Sequence, residues 1–209
     1  MGDLLRSGGP IMLVLIFLSF VAATIIIERL LYFRKIKGDE NVMIKRLKAT
    51  LEQGNYNEAL AICETSPSPV TNLMKVGIEH RHLPINMIKE MIQDAANLEI
   101  PRMERFLTSL GTIANISPLL GLLGTVLGNI TAFNVLNSLQ GVGDPALLAG
   151  GIATALVTTA AGIIVSIPAV IFYNYLVNKV NHIIIQLENR VNELVLILGS
   201  SGEMKRRDL

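Results

Sequence analysis

The residues best placed to do chemistry lie in two uncharged stretches. From Asn115 to Asn134 an apolar run is punctuated by Ser117, Thr125, Asn129, Thr131 and Asn134 and thinned by Gly121, Gly124 and Gly128. From Gly150 to Pro168 a second run carries Thr154, Thr158, Thr159 and Ser166, with Gly150, Gly151 and Gly162. Ser117, Gly121, Gly124-Thr125, Gly128 and Asn129 recur at three- and four-residue spacing, so they share one helix face. Thr154, Thr158 and Gly162 share a face of the second run, with Thr159 beside it. Brought together, these faces make a narrow, neutral seam lined by hydroxyls. Such a seam can desolvate a small cation. It cannot pick up and release a proton, because Ser and Thr do not titrate at useful pH. The one charged residue between Phe106 and Asn178 is Asp144, in a turn, so if the protein couples ion flow to work, the titrating acid has to arrive on a second polypeptide. For any single residue, a bond to the i−4 carbonyl or simple close packing is an adequate account. Polar positions aligned on two adjacent helices fit that account less well as a set.

Other chemistries are poorly supplied. Cys63 is the only cysteine, which rules out an intramolecular disulfide, and no Cys/His cluster has metal-ligand spacing. His80 and His82 fall in a polar loop and His182 stands alone, so no metal and no cofactor is expected. An intramembrane enzyme needs a nucleophile and base or a metal set, and these apolar runs hold no His, Cys, Asp or Glu. A net charge of +1 gives no basic field for nucleic acid.

The elements that must position the seam read as an all-α integral membrane protein, because half the residues are hydrophobic (51%) and they are clustered in long blocks. Residues 1–9 are a short polar terminus. Residues 10–33 form a first span: Ile11 to Ile27 is bounded by Glu28 and Arg29, and Leu30 to Phe33 extend it into the interface. A cleaved signal peptide is the competing reading. No Ala-x-Ala-like site follows, however, and the basic residues come after the apolar run rather than before it. Residues 34–105 carry charges of both signs in amphipathic helices, over Asp39–Gln53 (ended by Gly54-Asn55), Asn57–Glu64, Val70–His80 and from Pro84 onward, with a break at Ser66-Pro67-Ser68-Pro69. The last of these is expected to run through Pro101 straight into the second span, 106–139. A glycine-rich turn at 140–145 leads to the third span, 146–177. Residues 178–209 continue it as an amphipathic helix that Gly199 ends, followed by the basic tail Lys205-Arg206-Arg207.

Lys and Arg set the orientation. Residues 29–105 hold 12 of the 18, residues 179–209 hold 5, the 140–145 turn holds none and the N-terminus holds only Arg6. The positive-inside rule puts the N-terminus and the turn outside, and the 34–105 domain and C-terminal helix in the cytoplasm. Arg29, Arg34, Lys35 and Lys37 with the basic tail then meet anionic lipid headgroups.

The block Pro118-Leu-Leu-Gly-Leu-Leu-Gly-Thr-Val-Leu-Gly128, followed by Gly150-Gly-Ile-Ala-Thr-Ala-Leu-Val-Thr-Thr-Ala-Ala-Gly-Ile-Ile-Val-Ser-Ile-Pro168, resembles the MotA/TolQ/ExbB family, closest to its ExbB/TolQ branch. Gly8-Gly-Pro-Ile-Met12 and Ile27-Glu-Arg-Leu-Leu-Tyr-Phe-Arg34 match that branch too, and the resemblance covers essentially the whole chain. It implies a homopentamer of three-span subunits with long cytoplasmic helical extensions in the bacterial inner membrane, with N-terminus periplasmic and C-terminus cytoplasmic. The pentamer surrounds a dimer of single-span ExbD/TolR-like partners whose aspartate carries H⁺ or Na⁺, and a TonB- or TolA-like protein is a further candidate partner. By position, Thr125 and Thr159 match the family's ion-path threonines. Thr154 and Thr158 join them in this chain's expected path, and Ser117, Pro118, Gly121, Gly124, Gly128, Gly151 and Gly162 are expected to pack against the partner helix. Thr154 departs from the pattern, since relatives usually have glutamate there. Either that glutamate is dispensable in this lineage, or the Thr154 hydroxyl replaces it because the coupling ion is Na⁺, with Thr125, Thr158 and Thr159 as the candidate Na⁺ ligands. The proton is the preferred ion. A non-conducting scaffold that holds a partner helix is the alternative function.

Overall fold

The structure, a computed structural model, describes residues 9–37, 40–65, 67–138 and 145–207. Among these the chain is helical, without strands: α1 (Gly9–Lys37), α2 (Glu40–Glu52), α3 (Tyr56–Thr65), α4 (Pro69–Glu79), α5 (Ile85–Glu104), α6 (Leu107–Ser138) and α7 (Pro145–Arg207). Three segments are long and apolar enough to cross a membrane, in α1, from α5 into α6, and in α7. The expected turn at 140–145 lies outside the described residues apart from Pro145. Contacts divide the chain into two units, one from Met1–Arg29 with Phe106–Val177, the other from Leu30–Arg105 with Asn178–Leu209.

In the second unit, local chemistry sets the short helices. Gly54 takes a left-handed φ of 76°. The Gly54 N–H donates to the Leu51 carbonyl and the Asn55 N–H to the Thr50 carbonyl, and this bond pair closes α2. Ser68 caps α4 in a capping box with Thr71, and Pro69 follows at the first helical position, where its missing N–H costs nothing. The core gathers Leu47 and Leu51 of α2, Leu73 and Ile78 of α4, Ile88 and Ile92 of α5, and Leu187 and Leu194 of α7, all buried. Gly77 lets α4, α5 and α7 meet, since a Cβ there would lie 2.8 Å from Leu194 and 2.9 Å from Ile92. Glu99 is buried but satisfied by Asn72 at 3.0 Å and Arg102 at 2.9 Å.

Two helix ends differ from the sequence expectation. α5 passes through Pro101 but stops at Glu104, and α6 starts afresh at Leu107. Between them Phe106 sits at φ 64°, a left-handed conformation that costs a non-glycine residue roughly 1–2 kcal/mol. The Arg29 guanidinium, itself buried and paired with Glu28, lies 5.8 Å from the Phe106 ring centre. α7, in turn, does not end at Gly199 but continues to Arg207. A glycine stops a helix by turning left-handed, and Gly199 does not. A right-handed helical glycine costs only about 1 kcal/mol. At 63 residues and about 1.5 Å per residue, α7 is roughly 95 Å long, about three times the hydrocarbon core.

Candidate functional site

Within the first unit, α6 and α7 pack through small residues. A Cβ on Gly162 would lie 2.5 Å from the Ser117 carbonyl oxygen, and one on Gly121 3.0 Å from the Thr159 Cα. A Cβ on Gly128 would lie 2.7 Å from that of Ala155, and one on Gly151 3.0 Å from that of Ala132. One on Gly124 would collide with the Thr158 side chain. The glycine spacing read from the sequence thus serves close approach between these two helices of one chain. The glycines expected to pack against a partner helix instead meet the other helix of this chain: Gly121, Gly124 and Gly162 are buried, while Gly128 and Gly151 remain partly exposed.

Side-chain hydroxyls tie the seam at two levels. Thr159 Oγ1 donates to the Gly121 carbonyl at 3.0 Å, and Ser166 Oγ donates to the Ala114 carbonyl at 2.6 Å. Donors and acceptors are each one heptad apart and run in opposite directions, as antiparallel helices require. The lower tie has a specific cause. Pro118 lies inside α6 and has no N–H, so the carbonyl four residues earlier, Ala114, loses its helical partner. Ser166 supplies the missing donor, which is how proline is tolerated inside apolar helices. The sequence shows Ser166 in the run but gives it no role of its own. The signal available was Pro118 itself, which obliges some neighbouring helix to bring a donor to its i−4 carbonyl.

The remaining hydroxyls turn back on their own helices. Ser117 donates to Ile113 at 2.7 Å, Thr125 to Leu122 at 2.6 Å, Thr131 to Leu127 at 2.9 Å and Thr158 to Thr154 at 3.1 Å. Thr158 is 2% exposed and Ser117 is fully buried, whereas Thr125, Thr154 and Thr159 are partly exposed. The four threonines of the expected path are therefore not equivalent: Thr158 fills the seam behind Gly124, and the other three reach its margin. Thr125 bonds Leu122 rather than a residue of the Thr154–Thr159 segment. Asn129, one turn beyond Thr125, is exposed. No group of three or more His, Cys, Asp or Glu able to hold a metal occurs among the described residues.

The outer surfaces of both helices are apolar and uncovered. Leu119, Leu122, Val126 and Ile130 of α6, with Ile152, Leu156, Ile164 and Ile167 of α7, are all exposed. In a membrane these meet lipid or another helix.

Comparison with known proteins gives one consistent result. Residues 65–189, more than half of the chain and including the whole seam, match the MotA/TolQ/ExbB proton channel family. The chain is 34% identical over 212 residues to an ExbB-like biopolymer transport protein of Synechocystis, covering 99% of this chain and 79% of that one. It is 29% identical over 188 residues to an ExbB homolog of Methanothermobacter thermautotrophicus, covering 89% of this chain and 66% of that relative. It is 40% identical over 104 residues to the Tol-Pal system protein TolQ of Haemophilus influenzae, covering 50% of this chain and 45% of TolQ.

Proposed function

This chain belongs to the MotA/TolQ/ExbB proton channel family, and from that premise we propose that it is the membrane-embedded wall of an ion-driven machine. It is a multi-pass membrane protein of a family that energises transport, not of a known enzyme family. In the proposed assembly it sits in a bacterial inner membrane, N-terminus outside and C-terminus in the cytoplasm. Copies of it, a pentamer by family likeness, surround an ExbD/TolR-like partner dimer. The partner's carboxyl carries a proton along the margin of the seam, past Thr125, Thr154 and Thr159.

The observation that carries this reading is the combination of a hydroxyl-rich margin with the absence of any acid or base along α6 or the membrane part of α7. Hydroxyls can hold a loaded group but cannot titrate. The seam itself is too tightly packed to pass an ion, so the path runs beside it, where a partner helix has room. Thr158 in this scheme keeps α7 close to Gly124. One charge crossing about 100 mV releases about 2.3 kcal/mol, ample for repeated steps of a machine.

Reconstitution into proteoliposomes with the partner tests the reading. Acid-driven proton flux is expected from the intact complex and should be lost in a Thr125→Ala, Thr159→Ala double variant. Undiminished flux in that variant would remove these residues from the path. Flux that needs Na⁺ and ignores pH would make the coupling ion Na⁺. A second reading, a scaffold that holds a partner helix without conducting, is motivated by Thr154, a neutral residue where relatives usually have glutamate. Absence of flux from an assembled complex selects it.

A further inference from the structure

Away from the seam, and within the first unit, α1 and α7 leave a groove of about 410 Å³ between them. Ser19, Ala23 and Ile27 of α1 line one side, and Ile164, Pro168 and Phe172 of α7 line the other. Apart from Ser19 the lining is wholly apolar. Ile27 is 59% exposed and Ile164 69%, so the groove is open along its rim. In a membrane that opening faces hydrocarbon.

α1 and α7 each run on as one unbroken helix past the Ile27–Phe172 end of the groove, so the next residues on the same faces follow from the helical repeat. One heptad beyond Ile27 is Arg34, and one heptad beyond Phe172 is Lys179. Arg34 is exposed, Lys179 is partly exposed, and neither forms an ion pair with a described residue. Arg34 is fifteen residues from Ser19, and Lys179 is fifteen from Ile164. At about 1.5 Å per residue each stretch is roughly 22 Å long. Half a bilayer with its headgroups is about 20–22 Å thick. Along each helix, apolar wall and cation together therefore measure one leaflet. A transmembrane helix would need a track across the whole hydrocarbon core, about 30 Å. This groove runs only about 12 Å along each helix, from Ser19 to Ile27 and from Ile164 to Phe172.

We propose that the α1–α7 groove is a binding site for one acidic phospholipid, with an acyl chain in the groove and the phosphate held by Arg34 and Lys179. The guanidinium offers a fork that matches phosphate oxygens, and the ammonium adds a point charge. The site lies apart from the seam and stands whether or not the protein conducts.

Photocrosslinking locates the lipid. The full chain is reconstituted in phosphatidylcholine vesicles doped with phosphatidylglycerol carrying a diazirine in its acyl chain, and in a parallel sample with phosphatidylcholine carrying the same chain. After photolysis, mass mapping of peptides should place adducts on residues 19–27 and 164–172. Phosphatidylglycerol should label these segments at least about fivefold more than phosphatidylcholine does, the preference expected of a single basic side chain at the headgroup level. In an Arg34→Gln, Lys179→Gln double variant that ratio should fall to about one. Neither substitution removes an ion pair between described residues, so the fold should be kept. Ala23→Trp, which fills the groove from an exposed position, should abolish the adducts of both lipids. Adducts spread evenly over the exposed apolar faces, an annular lipid only, would overturn the proposal, as would a ratio that the double variant leaves unchanged. The labelling is repeated on the complex with its ExbD/TolR-like partner. Adducts that persist there uphold the site, and their loss would give the groove to a protein segment instead.

Discussion

Ser166 of α7 donates a 2.6 Å hydrogen bond to the carbonyl of Ala114 in α6, the carbonyl that Pro118 has deprived of its helical N–H. Proline and serine sit 48 positions apart on different helices, yet each explains the other. Ser166→Ala should leave a buried acceptor unpaired, at a cost of about 1–3 kcal/mol. Pro118→Ala restores the N–H and should remove most of that cost. A double-mutant cycle by denaturant unfolding in detergent should therefore return a coupling energy of about 1 kcal/mol or more. A coupling near zero would mean that Ala114 is satisfied in some other way.

Two glycines in the same helix should respond oppositely to alanine. At Gly162 a methyl group would sit 2.5 Å from the Ser117 carbonyl oxygen, so Gly162→Ala should destabilise by about 1–3 kcal/mol through overpacking. At Gly150 a Cβ meets nothing within 4 Å, and Gly150→Ala should be neutral or stabilising by up to about 1 kcal/mol through helix propensity. Thermal unfolding of the two variants side by side checks the contrast. Equal effects would mean that the seam yields locally.

The ion pair of Lys48 with Glu193 joins α2 to α7 within the second unit. The hydrogen bond from Lys48 holds the Glu193 carboxyl below its ordinary value of 4.5, and the same bond raises Lys48 above 10.5. The acid's contribution to stability is present above about pH 4.5 and is lost as pH falls through the depressed folded value. The lysine's contribution is present below about pH 10.5 and is lost as pH rises through its raised folded value. Glu193→Gln should flatten part of the acid limb of a stability–pH curve and leave the neutral region little changed, because both side chains are partly exposed. An unaltered acid limb would assign it to other carboxyls.

Cys63 lies 3% exposed in α3, and burial pushes its thiol up to about 11. At pH 8 it should react with a maleimide far more slowly than the denatured chain does, by at least tenfold. Labelling at the denatured rate would mean that α3 opens readily.

Where sequence and structure agree, the reason is local. The apolar runs of α1, α6 and α7 are self-evident, and Gly54, Ser68 and Pro69 announce their turns through chemistry confined to a few residues. The disagreements come from neighbours. Phe106 carries no glycine-like signature, so nothing local announces its left-handed φ or the break between α5 and α6; in the fold its ring lies 5.8 Å from the Arg29 guanidinium. Gly121, Gly124 and Gly128 declare a thin face but not what lies against it, and the pattern fits a partner helix as well as it fits α7. Thr158 and Thr159 are neighbours in the chain, and only the crossing of α6 over α7 turns one inward and the other toward the margin.

The direction of the two ties also bears on how the protein enters its membrane. Both donors, Thr159 and Ser166, belong to the helix that leaves the ribosome second, and both acceptors belong to the first. In α6 by itself Ser117, Thr125 and Thr131 are each satisfied by its own backbone, whereas inside the helix the Ala114 carbonyl lacks the N–H that Pro118 cannot supply. α7 alone loses little, since its hydroxyls can turn back on their own carbonyls. Pairing of α6 with α7 thus adds to close packing one specific gain, a donor for the Ala114 carbonyl that only the later helix carries.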